Sequence, residues 1–163
     1  MSYFDLFGHR YRVLVHPDLT DDRFAQFEIW ANLNARDVPR INHRHDLSVF
    51  VLHGSFDVWI DGAMRECHAG EGFMIPKGTW ATFNNPDEEP THAVLTLSPG
   101  QWARHIIAIG VSVADPGAPI AKPTMPEFAA LHERDAELGV EMRLPGPPAA
   151  WLRALTGSTS ARR

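Results

Sequence analysis

The segment from Ser55 to Cys67 constrains the fold most. Phe56, Val58 and Ile60 alternate with Asp57 and Trp59, Asp61-Gly62 follows, and Ala63-Met64-Arg65-Glu66-Cys67 returns. Period-two alternation places one set of side chains on each face of a strand and does not suit a helix. Asp-Gly supplies the two positive-φ positions of a type I′ turn, whose twist matches that of two antiparallel strands. Proline and glycine recur at short intervals from Gly54 to Pro99, with β-branched and aromatic runs between them. Val13 to Val15, Phe24 to Trp30, Leu47 to Leu52, Phe73 to Ile75, Trp80 to Phe83 and Ala93 to Leu97 read as further strands. Many short antiparallel strands at this spacing predict an all-β barrel or sandwich.

The pattern changes after Pro99. Gln101 to Ile109 reads as one short helix. Thr124-Met125-Pro126-Glu127 carries a capping box for a second, with Phe128, Leu131 and Leu138 on one stripe and Gly139 as its stop. Asp115 to Pro123 is a Pro/Gly-rich connector, and Pro145-Gly146-Pro147-Pro148 is another break. Trp151, Leu152 and Leu155 are expected to dock on the body. The chain of 163 residues suits a single domain. The expected division is a β-barrel over 1–100, a helical and irregular extension packed on it over 101–156, and a polar tail over 157–163.

Composition narrows function. Fifteen basic and 20 acidic residues give a net charge of −5, which argues against a general nucleic-acid partner, since phosphate neutralisation needs a basic face. Cys67 is the sole cysteine, so neither an internal disulfide nor a thiolate zinc cage is available. No apolar run approaches a membrane span, and the Met1-Ser2-Tyr3-Phe4-Asp5 start lacks a signal-peptide core. A cytoplasmic location with no membrane partner is the expectation. Nine histidines are the first chemical hint.

In Asn42-His43-Arg44-His45-Asp46-Leu47-Ser48-Val49-Phe50-Val51-Leu52-His53-Gly54, an extended chain puts His43 and His45 on one face, with Leu47, Val49, Val51 and His53 continuing it. Two imidazoles at this spacing can share a divalent ion. By itself His-x-His is a weak signal. Gly70 to Asn85 reads as strand, Pro-x-Gly turn, strand.

Together these two segments resemble the cupin superfamily, whose motifs run G-x5-H-x-H-x3-4-E-x6-G and G-x5-P-x-G-x2-H-x3-N. His43, His45 and Gly54 fall on the first, and Gly70, Pro76, Gly78 and Asn85 on the second. The resemblance covers Arg36 to Pro99. Tyr11 to Phe27 and Leu131 to Pro148 look like small quercetin-dioxygenase-like cupins. It implies a single jelly-roll-like barrel with a short C-terminal helical extension, and a homodimer.

The departures bear on function. Cupin metal sites generally use three histidines and a glutamate. Here the glutamate position is Leu47, or Val49 or Phe50 in the other count, the second-motif histidine is Ala81, and the opening glycine is Asp37. His43 and His45 remain as ligands, with His92 or His53 as a possible third. The cofactor expectation is therefore none, or a weakly held divalent ion (Fe, Zn, Mn or Ni). Two imidazoles alone hold a catalytic metal poorly.

Without metal, His43 and His45 are proton-transfer candidates. Leu47, Val49, Val51, Trp80, Ala81 and Phe83 are the expected pocket lining. Trp30, Trp59, Phe50 and Phe73 could add to it, although each alone is more simply core. His68, just before Ala69-Gly70, reads as a turn-adjacent surface residue, and His9, His16, His105 and His132 lack partners in the sequence and read as bland. Cys67 lacks the base that nucleophilic catalysis needs. The expected function is an enzyme acting on a small, largely apolar molecule by non-oxidative acid–base chemistry (isomerisation, cyclisation or decarboxylation). A metal-dependent dioxygenase and a non-catalytic ligand-binding cupin are the alternatives.

Overall fold

The computed structural model describes residues 3–32, 39–121 and 133–142. Among these residues twelve strands, all paired antiparallel, run in the order β1 (Tyr3–Leu6), β2 (His9–Val15), β3 (Ala25–Ala31), β4 (Arg40–Asn42), β5 (Asp46–His53), β6 (Ser55–Ile60), β7 (Ala63–His68), β8 (Gly72–Ile75), β9 (Trp80–Asn84), β10 (Thr91–Ser98), β11 (Val111–Val113) and β12 (Val140–Met142). Helix α1 (Gln101–Ile109) lies between β10 and β11. Residues 133–137, here α2, are helical. One sheet has the strand order β11-β1-β2-β3-β10-β5-β8 and the other β12-β4-β9-β6-β7. Two facing antiparallel sheets make the all-β, jelly-roll-like barrel that the alternation predicted.

The hairpin forms as read. Asp61 and Gly62 have φ of 46° and 91°, and Phe56 and Val58 are fully buried. Ala25, Phe27 and Ile29 turn inward from β3 in the same way. Phe56, Phe73 and Phe83 meet at ring separations of 5.1–6.3 Å in the core. Cys67 is buried in this core, and burial raises its thiol pKa.

Helix α1 has the bounds its sequence pattern suggests, and it buries Ala103 and Ile106. It ends at Gly110, where a Cβ would sit 2.2 Å from the Phe4 ring, so only glycine allows the helix to pass so close to β1. The chain beyond it does more than pack on the barrel, because β11 extends one sheet beside β1 and β12 the other beside β4. Segment 115–121 is tied to β1 and β2 by buried Arg10. Its guanidinium donates to both Asp5 carboxylate oxygens and to the carbonyls of Pro116, Ala118 and Pro119. Gly139 has a φ of +80° and ends α2, as expected of a stop. The predicted capping box at Thr124 and Glu127, Phe128, Leu131, His132, Asp37, the Pro145–Pro148 break, the docking of Trp151, Leu152 and Leu155, and the 157–163 tail lie outside the described residues.

Candidate functional site

A cavity of about 100 Å³ lies between the two sheets, with Phe83 of the phenylalanine cluster on its wall, against the roughly 10–15 Å³ that one water requires. Leu97, Leu47 and Ile75 stand side by side across β10, β5 and β8 and form one wall. Arg40, Asn42, Ala81, Phe83 and Val140 form the facing wall from β4, β9 and β12. Leu6, Phe7, His9 and Tyr11 line it from β1, β2 and the turn between them, and Trp102 and Ile106 line it from α1.

The His43–His45 segment departs from the alternation expected of it. The Asn42 Oδ1 accepts from the backbone N–H groups of Arg44 and His45, each at 3.0 Å, and this turn ends β4 before β5 begins. The two imidazoles consequently point apart. His43 is 46% exposed and its Nε2–H donates to Glu141 Oε1 at 2.9 Å, on the surface. His45 is 3% exposed and lines the cavity. The Trp102 ring meets it edge to face, with centroids 5.6 Å apart and planes at 90°. Neither ring nitrogen of His45 has a hydrogen-bond partner. Loss of hydration, with a smaller contribution from the Arg44 charge, lowers its pKa from 6.5 to about 4. At neutral pH it is an uncharged imidazole that offers one donor and one acceptor to whatever occupies the cavity.

Of the expected lining residues, Leu47, Ala81 and Phe83 border the cavity. Val49 and Val51 do not, although they share the Leu47 face. They lie one and two rows farther down β5, at 2% and 0% exposure, in the packed core. Trp80 alternates to the face of β9 opposite Ala81, and does not line the cavity. Trp30 and Phe50 likewise lie outside it.

The expected metal ligands do not converge. His92 faces outward from the seven-stranded sheet, where its Nε2–H donates to Glu28 Oε1 at 2.6 Å and its ring stacks on Trp30 at 4.7 Å. His53 is exposed beside it in register. Among the described residues no group of three or more His, Cys, Asp or Glu could hold a metal ion. With Leu47 and Ala81 in the cavity wall, the donors among the described residues do not fit a cupin-type divalent centre.

Several cavity residues escaped the sequence reading. His9 and Tyr11 sit on the inward face of β2, and their i, i+2 spacing was visible. Their depth was not, because β1, which brackets them, carried no distinct strand signal. Trp102 and Ile106 are an i, i+4 pair on α1, the spacing of one helix face. Arg40 belongs to a three-residue strand that only its pairing with β9 and β12 defines.

Residues 33–97 match the family described as "Cupin domain". Among solved structures, the chain is similar to KdgF from Halomonas sp., with a TM-score of 0.56 and 20% identity over 64% of this chain and 91% of that one. It is also similar to an RmlC-like cupin from Shewanella frigidimarina, with a TM-score of 0.53 and 22% identity over 63% and 86% of the two chains. The cupin domain of Schizosaccharomyces pombe Cnp3 gives a TM-score of 0.50 and 14% identity over 68% and 76%. No curated protein matches in sequence. The class defined by the fold is the cupin β-barrel. The chain's central segment, residues 33–97, matches the cupin domain, and the similarity to these structures is one of fold.

Proposed function

We propose that the cavity is the active site of a cupin enzyme that moves a proton on a small, largely apolar organic molecule without oxidation. One observation carries this reading. His45 is buried against the cavity, and both of its ring nitrogens lack a partner. A buried polar group in this condition costs about 1–3 kcal/mol, and a bound ligand relieves that cost. The neutral nitrogen accepts a proton from an acidic C–H or O–H of the ligand. The imidazolium formed is stabilised by the anion left beside it, which the apolar wall keeps from water. Return of the proton to a different atom completes an isomerisation. Return to a carbon that has lost CO2 completes a decarboxylation. His43 takes no part in this scheme, because its ring faces Glu141 at the surface.

The test is deuterium exchange. Phenylpyruvate and 2-indanone, each with acidic C–H bonds, are incubated with the protein in D2O and followed by NMR. Exchange above background that falls roughly 10²–10⁴-fold in His45→Ala, the scale of a positioned acid or base, and is unchanged in His43→Ala, supports the reading. Binding without exchange favours the ligand-binding alternative. The homodimer suggested by the cupin resemblance is proposed on that ground alone, and light scattering measures it. No helix among the described residues is long and apolar enough to cross a membrane.

A further inference from the structure

The turn from Asn42 to His45 is pinned at every residue. The Asn42 carbonyl accepts from the Gly78 N–H at 2.7 Å, and the His43 N–H donates to the Gly139 carbonyl at 2.8 Å. The N–H groups of Arg44 and His45 both donate to Asn42 Oδ1, each at 3.0 Å. Asn42 also stands in register with Val140 of β12. The fold itself therefore fixes the Asn42 side chain relative to His45, and no ligand is needed to set it.

Two donors on one oxygen also settle which way the Asn42 amide faces, because an NH2 in that place would oppose both N–H groups. Its own NH2 points away from them, and among the described residues it has no hydrogen-bond partner. Asn42 and His45 both line the cavity. His45 is 3% exposed, with neither ring nitrogen partnered. One turn thus brings a spare donor and a neutral imidazole to the same space. Tyr11, Thr82 and Arg40 bring further polar groups to the wall, and each already has an interaction of its own within the protein.

A base beside a fixed N–H donor suits one chemistry. Taking a proton from a carbon next to a carbonyl drives negative charge onto the carbonyl oxygen, and a donor already placed at that oxygen stabilises it. We infer that the substrate of the proposed site is a carbonyl compound with an acidic C–H on the adjacent carbon, and that Asn42 Nδ2–H donates to the carbonyl oxygen while His45 takes the proton. The C–H electron pair becomes the C=C bond of an enolate, the carbonyl π pair moves to oxygen, and the imidazole holds the proton until it returns to carbon. No oxidant or reductant enters. The role of Asn42 in proton transfer rests on the reading proposed above, whereas its recognition of a carbonyl does not.

Asn42→Asp tests the assignment. A carboxylate keeps an oxygen for both backbone N–H groups and puts an acceptor where the NH2 was. The backbone amide NMR signals of Arg44 and His45 report whether the turn is intact. Indane is 2-indanone with CH2 in place of the carbonyl. The wild-type protein should bind 2-indanone about 3–10-fold more tightly than indane, the scale of one neutral hydrogen bond. Asn42→Asp should lose that preference and still bind indane, and its deuterium exchange into 2-indanone should fall about 10²–10³-fold, the scale for one oxyanion donor. On the wild type, the Asn42 side-chain NH2 signals should move downfield with 2-indanone and not with indane. If the variant does not fold or loses the turn, those signals decide alone. Unmoved NH2 signals, equal binding of the two probes, no binding of 2-indanone at millimolar concentration, or an unchanged preference in Asn42→Asp with its turn intact overturns the inference. A preference that the variant loses, with no exchange in the wild type, removes the proton transfer and leaves Asn42 as the donor to a carbonyl. Exchange that survives Asn42→Asp with the turn intact does the reverse.

Discussion

The indole of Trp102 stands perpendicular to the imidazole of His45, 5.6 Å between centroids, and both rings line the cavity. Trp102 is held from behind by Asp135, which is 1% exposed and accepts its N–H. A residue of the C-terminal region thereby holds the ring that packs on the barrel histidine. Removing the ring should admit water and relieve the desolvation that lowers the His45 pKa. In Trp102→Ala the His45 pKa should rise from about 4 toward its ordinary value, and stability should fall by about 3–5 kcal/mol, the range for a large aromatic truncation. NMR titration of the imidazole and urea unfolding check the two effects. An unmoved pKa would mean that Trp102 does not control access of water.

Acid should act on the fold through the same histidine. In the unfolded chain its pKa is near 6.5, and in the fold it is about 4. The unfolded state therefore binds more protons in that interval, and the contribution to stability is complete above pH 6.5 and is lost as pH falls through 4. The loss is on the order of 3 kcal/mol. His105, whose pKa burial also lowers, acts in the same direction. The quantity to measure is the difference between wild type and His45→Leu, from denaturant curves at pH 7, 5.5 and 4. The wild type should lose more stability across that series. Parallel curves for the two proteins would contradict the prediction.

Ala81 stands in the cavity wall opposite Arg40. An indole introduced there should occupy the space now open. Ala81→Trp is expected to remain folded and lose binding of phenylpyruvate and 2-indanone, because the added ring competes with the ligand for one volume. Unchanged affinity in a folded variant would put the ligand elsewhere.

Protein purified without added metal should carry well under one equivalent of iron, zinc, manganese, nickel or copper, because His43, His53 and His92 do not share a site with His45. Elemental analysis checks this. Near-stoichiometric metal that disappears in His45→Ala would require a ligand set different from the one described here.

Much of the barrel was written in local pattern. The hairpin at Asp61-Gly62, the inward alternation of β3, β5 and β6, the bounds of α1 and the Gly139 stop each follow from side-chain period or from a residue that tolerates positive φ, and these act over a few residues. Leu47, Ala81 and Phe83 were also legible as lining, because alternation and the family motif both turn them inward. The direction of His43 was not. One side-chain oxygen of Asn42 captures two backbone N–H groups, and that local turn overrides strand alternation. The depth of the cavity was not legible either. Val49 and Val51 share the face of Leu47, and only the meeting of Phe56, Phe73 and Phe83 from three other strands decides where packing ends and open space begins. Arg40, His9, Trp102 and Asp135 come together from positions that run from 9 to 135. Local sequence sets which way a side chain faces, whereas the polarity and dryness of the space it faces depend on which distant strands and helices close around it.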